Sequence, residues 1–240
     1  MLAANPHTVV VLVNGNPIAI DWLAEHAPAI VEAFEGGQAA GTALARVLLG
    51  RSVVGPAGVM PWTVYPEAYA GQVTMPDMSM RAAGVGRTYR FYRGRPTYPF
   101  GHGLGYTRFV LEWVALLATV QTVGALQAGL VFVVNVTNVG GRTGAKVVAG
   151  YVAFAPGPGA GTGADDGPPK QLFAMGKVRL RPGESNTVVL ESAAVAGTCA
   201  FCSVDGAGAR LVRPGTYTIT VGDGGQGSGS DLLSHAIRAT

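Results

Sequence analysis

Carboxyl groups are the first candidates for chemistry in this chain, since two of them held together can act as nucleophile and acid or as acid and base. Asp21 and Glu25 stand four residues apart and share a face if residues 21–26 form a helix. Glu32 and Glu35 flank an apolar run, and Asp165 and Asp166 lie side by side in a low-complexity insert from Pro156 to Pro169. Carboxylates in such settings are usually solvated, so none is assigned a catalytic role. His102, held between Gly101 and Gly103, reads as structural.

Cys199 and Cys202 are the only cysteines. A lone C-x-x-C cannot close a four-ligand zinc site, and no second pair or nearby His completes it, so neither a metal nor a cofactor is expected. The spacing would suit a redox pair, but in a strand the two side chains point to opposite faces. They are therefore expected to be two small, semi-buried thiols. The sequon Asn135-Val136-Thr137 is a candidate glycosylation site at Asn135.

Stepping from these residues to the elements that hold them, Val9 to Val13 is a continuous apolar run of the kind found in strands covered on both faces. Asn14-Gly15-Asn16-Pro17 breaks it. That loop follows the C-terminal end of a strand, the edge at which α/β sheets bind ligands, which makes Asn14, Gly15 and Asn16 candidate binding residues. Asp21 to His26 suits a short helix and Ala29 to Phe34 a second strand. Ala40, Ala43, Leu44, Val47 and Leu48 recur at helical spacing between Gln38 and Leu49, with Gly50 where a helix stops. Two buried strands need neighbours on both sides, so the α/β unit is expected to be incomplete, with its missing strands upstream of Met1.

Residues 51–108 are rich in Pro, Gly, Met and Tyr with no sustained period, and are expected to form an extended connector laid over a neighbour. Beyond residue 110 the pattern alternates. Leu130, Phe132, Val134 and Val136 oppose Val131, Val133, Asn135 and Thr137, while Tyr217, Ile219 and Val221 oppose Thr216, Thr218 and Thr220. Seven strands are expected, near 110–118, 130–138, 146–154, 171–180, 187–191, 199–204 and 215–221, separated by turns such as Arg181-Pro182-Gly183 and Arg213-Pro214-Gly215. The fold class is thus an incomplete α/β unit, part of an α/β sandwich, followed by an all-β sandwich of immunoglobulin or fibronectin type. The divisions are 1–60, 61–108 and 109–240. Only 13% of residues are charged against 36 Gly and 15 Pro, which favours turns over long helices. No apolar stretch approaches the roughly 20 residues of a membrane span, and no signal peptide is visible at the start of this chain.

Longer runs carry a family resemblance. Gly37-Gln38-Ala39-Ala40-Gly41 and the helix after it, then Pro56 to Pro66, resemble the second domain of family-three glycoside hydrolases. The longest match runs through Gln72-Val73, Met75, Met78-Ser79-Met80-Arg81, Gly86-Arg87-Thr88-Tyr89-Arg90-Phe91-Tyr92 and Tyr98 to Thr107, and is similar to the β-xylosidase branch. Val136-Thr137-Asn138-Val139-Gly140, Lys170-Gln171-Leu172 and Pro214-Gly215-Thr216-Tyr217 resemble the fibronectin type III-like domain that ends many of these enzymes. Gly36, Ala40, Val59 and Gly105 stand where the family usually has Pro, Gly, a basic residue and Ser.

The resemblance implies a secreted exo-glycosidase of the cell wall or extracellular space, acting on xylan- or arabinan-type carbohydrate. It implies that the nucleophile Asp, on an N-terminal (β/α)8 barrel, and the acid/base Glu both lie upstream of Met1. No catalytic residue is carried over, the isolated chain is expected to be inactive, and Asn14 to Asn16 become the expected sugar contact. The resemblance also accounts for Arg81, Arg87, Arg90, Arg93 and Arg95 among Tyr89, Phe91, Tyr92 and Tyr98, a pattern otherwise suited to single-stranded nucleic acid, so no nucleic-acid partner is expected. The alternative is a non-catalytic piece whose sandwich acts as a structural or carbohydrate-binding module.

Overall fold

The computed structural model describes residues 2–157, 168–193, 199–205, 207–222 and 232–240. Asp165 and Asp166 lie outside them. Strand β1 (Val9–Leu12) pairs in parallel with β2 (Ala29–Glu32), Val9 opposite Ala29 and Leu12 opposite Glu32. Helix α1 (Asp21–His26) connects them and α2 (Ala40–Leu48) follows. The second strand ends at Glu32 rather than Phe34, because Phe34 takes φ 55°, which an extended strand cannot accommodate. Among the described residues this sheet has two strands, and none of the four elements contains a buried residue. Val13, Trp22 and Leu49 are exposed.

The connector is irregular as expected: two 3₁₀ turns at Glu67–Gly71 and Ala82–Gly84, one helical turn α3 (Thr88–Phe91), and a single bridge between Val64 and Tyr98. Gly86 has φ 79°, and a Cβ there would collide with the Phe91 carbonyl oxygen, so the turn ahead of α3 tolerates no side chain. Tyr65 and Tyr69 stack at 4.0 Å, with Tyr92 edge-on to both. Burial pushes the Tyr65 phenol up to about 12, and its oxygen accepts the Thr88 N–H at 2.6 Å.

The remainder is a β-sandwich. It comprises β3 (Phe109–Trp113), β4 (Val120–Gln121), α4 (Val123–Ala128), β5 (Val131–Asn138), β6 (Gly144–Pro156), β7 (Gln171–Leu180), β8 (Ser185–Glu191), β9 (Ser203–Val204), β10 (Arg210–Leu211), β11 (Gly215–Gly222) and β12 (Leu232–Ala239). A three-stranded sheet, β3-β5-β8, faces a five-stranded one, β4-β12-β11-β6-β7, and β9 pairs with β10 apart from both. The alternation is realised: Phe132, Val134 and Val136 on β5 and Tyr217, Ile219 and Val221 on β11 all point into one core.

Three features depart from expectation. Strand β12 had no expected counterpart, because its inward face includes His235 and Ala239 beside Leu233 and Ile237, so its apolar alternation is diluted. Helix α4 follows the short strand β4, with Thr122 Oγ1 accepting the Ala125 N–H and Gly129 ending it at φ 95°. Residues 199–202 form a turn rather than a strand. In that turn Cys202 N donates to Cys199 O and the two sulfurs form a disulfide, which replaces the expected pair of thiols.

One buried amide joins the parts. Asn138 is fully buried at the end of β5. Its Oδ1 accepts from Thr107 Oγ1 at 2.7 Å and Gly140 N at 3.1 Å, and its Nδ2 donates to Arg142 O at 2.8 Å and Leu180 O at 3.0 Å. Connector, turn and both sheets therefore meet on one side chain. Asn138→Ala would orphan several of these groups in a dry site, so a loss of about 3 kcal/mol is expected. A urea midpoint shift at unchanged slope checks it, and a loss no larger than that of exposed Leu48→Ala on α2 would refute the assignment.

Candidate functional site

Because β1 and β2 run parallel, the loops after both strands open at the same edge. The first carries Asn14, Gly15 and Asn16 and the second carries Phe34 and Glu35. Asn14 Nδ2 donates to Asn16 O at 2.7 Å and to Glu32 Oε2 at 3.3 Å, while Glu32 Oε1 accepts the Phe34 N–H at 3.1 Å. Glu35 lies against Gly15, where a Cβ would sit 2.8 Å from its carboxylate oxygen. Gly15 thus gives the carboxylate its room. Glu32 clamps the two loops together, and the positive φ of Phe34 stores backbone strain beside it.

The connector closes one side of this edge. The Phe34 ring meets Trp62 edge-on at 5.1 Å. Asn14 Oδ1, Trp62 Nε1 and Thr63 Oγ1 are buried with no hydrogen-bond partner among the described residues. An amide acceptor, an indole donor and two carboxylates near the Phe34 ring can bind hydroxyl groups of a polar, ring-shaped ligand. Of the expected residues, Asn14 is engaged by Glu32 at the end of β2, Gly15 lies against Glu35 of the second loop, and Asn16 is engaged through its carbonyl. Glu32, Phe34 and Trp62 are the additions. Their signal in the sequence is faint, because the Trp is separated from Asn14 by two helices and a strand and only the fold brings it near.

Asp21 lies at the surface but is engaged by the connector. Its Oδ2 accepts the Glu67 N–H at 2.6 Å and its Oδ1 the Thr97 hydroxyl at 2.8 Å, which fastens both arms of the connector to the first turn of α1. These hydrogen bonds, the Glu67 amide foremost, hold its carboxyl below the ordinary 3.8. Glu25 makes no comparable bond among the described residues. His102 stacks on Tyr98 at 5.0 Å within the connector.

Part of the arginine and aromatic segment is engaged within the molecule, while Arg93 and Arg95 are exposed. Arg87 Nη2 donates to Thr74 O and Asp77 O, Arg90 Nη2 reaches Gln171 Oε1 at 3.1 Å, and Tyr89 OH accepts the Leu172 N–H at 3.3 Å. Arg81 and Arg90 lie over the Phe91 ring. Tyr89 stacks on Phe100, and both meet Tyr151 of β6 edge-on. Lys170 Nζ sits 4.6 Å from the centre of the Tyr151 ring, its amine lowered by burial to about 8. Asn135 lies on the face of β5 away from the core, half-buried between Glu112 and Thr187. No cluster of three metal-ligating side chains occurs among the described residues, and no described helix is long and apolar enough to cross a membrane.

A parallel α/β unit, tied by an extended connector to a fibronectin-like sandwich, is the C-terminal architecture of a class of carbohydrate-active enzymes. Residues 1–106 match the glycosyl hydrolase family 3 C-terminal domain and residues 146–224 the fibronectin type III-like domain. The chain belongs to glycoside hydrolase family 3 and carries these two domains in that order.

It is 39% identical over 206 residues to a β-glucosidase of Rhizobium radiobacter and 34% identical over 224 residues to a β-xylosidase of Formosa agariphila, which covers 79% and 89% of this chain respectively. It is 43% identical over 112 residues to β-D-xylosidase 1 of Arabidopsis thaliana, 45% of this chain and 14% of that protein. A family 3 exo-β-xylosidase, solved with a xylobiose aziridine probe, superposes with a TM-score of 0.80 at 25% identity, covering 97% of this chain and 30% of that one. The chain spans 23% and 28% of the lengths of the Rhizobium and Formosa relatives.

Asp21→Ala should release the connector. Amide exchange at Glu67 is expected to accelerate by at least about tenfold while β5 and β11 stay protected. Since the folded carboxyl is held below 3.8, its contribution is present above that pH and lost as pH falls beneath it. Exchange at Glu67 that is unchanged in the variant would show that the carboxylate does not hold the connector.

Proposed function

We propose that this chain is the C-terminal portion of an exo-acting β-xylosidase-type hydrolase that cleaves O-glycosyl bonds in xylan- or arabinan-type carbohydrate. The observation that carries this is the likeness of nearly the whole chain, 97%, to the corresponding part of an exo-β-xylosidase. Retaining glycoside hydrolysis takes a nucleophile and an acid/base carboxyl about 5 to 5.5 Å apart. In this proposal both belong to the portion of the longer protein that precedes this chain, the nucleophile on its (β/α)8 barrel, and the present chain supplies a wall of the sugar site. That wall is Asn14, Gly15 and Asn16, braced by Glu32 and backed by Trp62. The Formosa and Arabidopsis matches support xylose, and the Rhizobium match is to a β-glucosidase. The Cys199–Cys202 disulfide supports an oxidising, extracellular or cell-wall location.

A second proposal, that the sandwich serves as a structural or carbohydrate-binding module, is favoured only by its self-contained core.

The isolated chain is expected to leave 4-nitrophenyl β-xyloside, arabinoside and glucoside intact. The same chain grafted in place of the matched portion of the Formosa β-xylosidase is expected to give an enzyme that cleaves the xyloside, with KM raised by Asn14→Ala. Turnover by the isolated chain that is lost in Glu32→Gln or Glu35→Gln, or a folded graft without activity, would overturn the proposal. In a secreted eukaryotic host, Asn135 should carry a glycan, since it faces away from the core. Its peptide recovered unmodified by mass spectrometry would remove that site.

A further inference from the structure

The connector presents an ordered loop with apolar tips. Across residues 74–80, Asp77 N donates to Thr74 O, Asp77 Oδ1 accepts the Ser79 N–H, and Ser79 Oγ accepts the Arg81 N–H. Arg87 closes the loop from behind. Its guanidinium donates to Thr74 O at 3.0 Å and Asp77 O at 2.6 Å, and its own N–H to Met80 O at 2.9 Å. A cation spent on backbone carbonyls holds the loop in one shape. Yet Met75 and Met78 are 93% and 87% exposed, and Met80 is 39% exposed.

A loop ordered before any partner arrives loses little conformational freedom on association, so its apolar tips can be buried with small entropic loss. Methionine suits such a contact because its unbranched, polarisable side chain adapts to an uneven surface. The loop's neighbour points to the occupant. The α/β unit to which Asp21 ties the connector buries no residue of its own elements, as befits a unit that completes its core against more of the same polypeptide. About three-quarters of the length of the Rhizobium and Formosa relatives lies outside the region matched here.

We propose that the loop 74–80 is a docking knob, with Met75 and Met78 seated in an apolar cleft on the preceding portion of the longer chain. The proposal rests on the function proposed above, which supplies that portion. It assigns the two methionines to assembly rather than to sugar binding. A second copy of this chain and free solvent are the competing occupants.

Oxidation of the thioethers reads their cover directly, because a buried methionine is shielded from peroxide. The isolated chain and the Formosa graft are treated with hydrogen peroxide, and sulfoxide at Met75 and Met78 is followed by mass spectrometry. Rapid oxidation of both is expected in the isolated chain, and oxidation slowed by roughly tenfold or more in the graft. Equal rates in a graft that cleaves xyloside overturn the docking proposal alone, whereas a folded graft without activity overturns the function on which it rests. Protection in the isolated chain that grows with its concentration assigns the knob to a second copy and overturns the proposal too. Should the graft be insoluble, the Formosa enzyme's preceding portion is added in trans to the isolated chain, and no protection at saturation counts against the docking. Met75→Leu/Met78→Leu should keep the graft's thermal midpoint, and Met75→Lys/Met78→Lys should lower it. A midpoint unmoved by the lysines overturns the proposal as well.

Discussion

The buried amide of Asn138 is the constraint on which the arrangement of parts rests. An amide sealed from water must place both its donors and its acceptor, and here each placement belongs to a different element: the connector through Thr107, the turn after β5 through Gly140 and Arg142, and the opposite sheet through Leu180. Shifting any one of them would strand a polar group in the core. The connector therefore leaves the sandwich at one defined point. Its path from there is guided by aromatic contacts, Tyr89 and Phe100 against Tyr151, and by two hydrogen bonds at the start of β7, Arg90 donating to Gln171 Oε1 and the Leu172 N–H donating to Tyr89 OH.

From that joint order passes outward with diminishing burial. The sandwich owns a continuous core in which Val134, Val136, Ile219, Val221 and Ile237 are fully enclosed. The connector buries only a few residues, chiefly Thr63, Val64 and Ala82, and substitutes polar fastenings for a core: Asp21 on Glu67 and Thr97, Tyr65 on Thr88, Arg87 on the loop 74–80. The parallel pair β1–β2 has neither a core nor flanking strands among the described residues. The edge that carries the candidate site keeps its shape through the Asn14–Glu32–Phe34 links and the Trp62 ring. A site at that edge is consequently as ordered as the connector behind it, which gives the connector a positioning role although it carries none of the proposed sugar-contacting loop.

Much of this was legible in the sequence. The period-2 alternation of β5 and β11 named the buried face residue by residue, since a strand must send alternate side chains to opposite sides wherever it lies. The apolar run at Val9, the helical spacing from Ala40 to Leu48 and the Gly50 stop named the α/β unit, and the motif runs named the family. Where the local signal was diluted, the sequence did not suffice. Strand β12 places a His and an Ala on its inward face, so its membership depends on β11 and β4 being there to pair with it. The Cys pair reads as opposed thiols in a strand, and becomes a disulfide only because the chain turns at that point.

The candidate site divides along the same line. Sequence alone put forward Asn14, Gly15 and Asn16 as candidates, because a strand end followed by a Gly-Asn-Pro break is a local event. It did not reveal that Asp21 anchors the connector, that Glu32 bridges two loops, or that Trp62 backs the site. Those assignments depend on contacts across 46 and 76 residues for Asp21 and across 18 for Asn14 and Glu32. Periodicity encodes which way a side chain faces, which is a property of its own few neighbours. Which distant group it meets is set by parallel pairing and by the connector's path, and these exist only once the whole chain has folded.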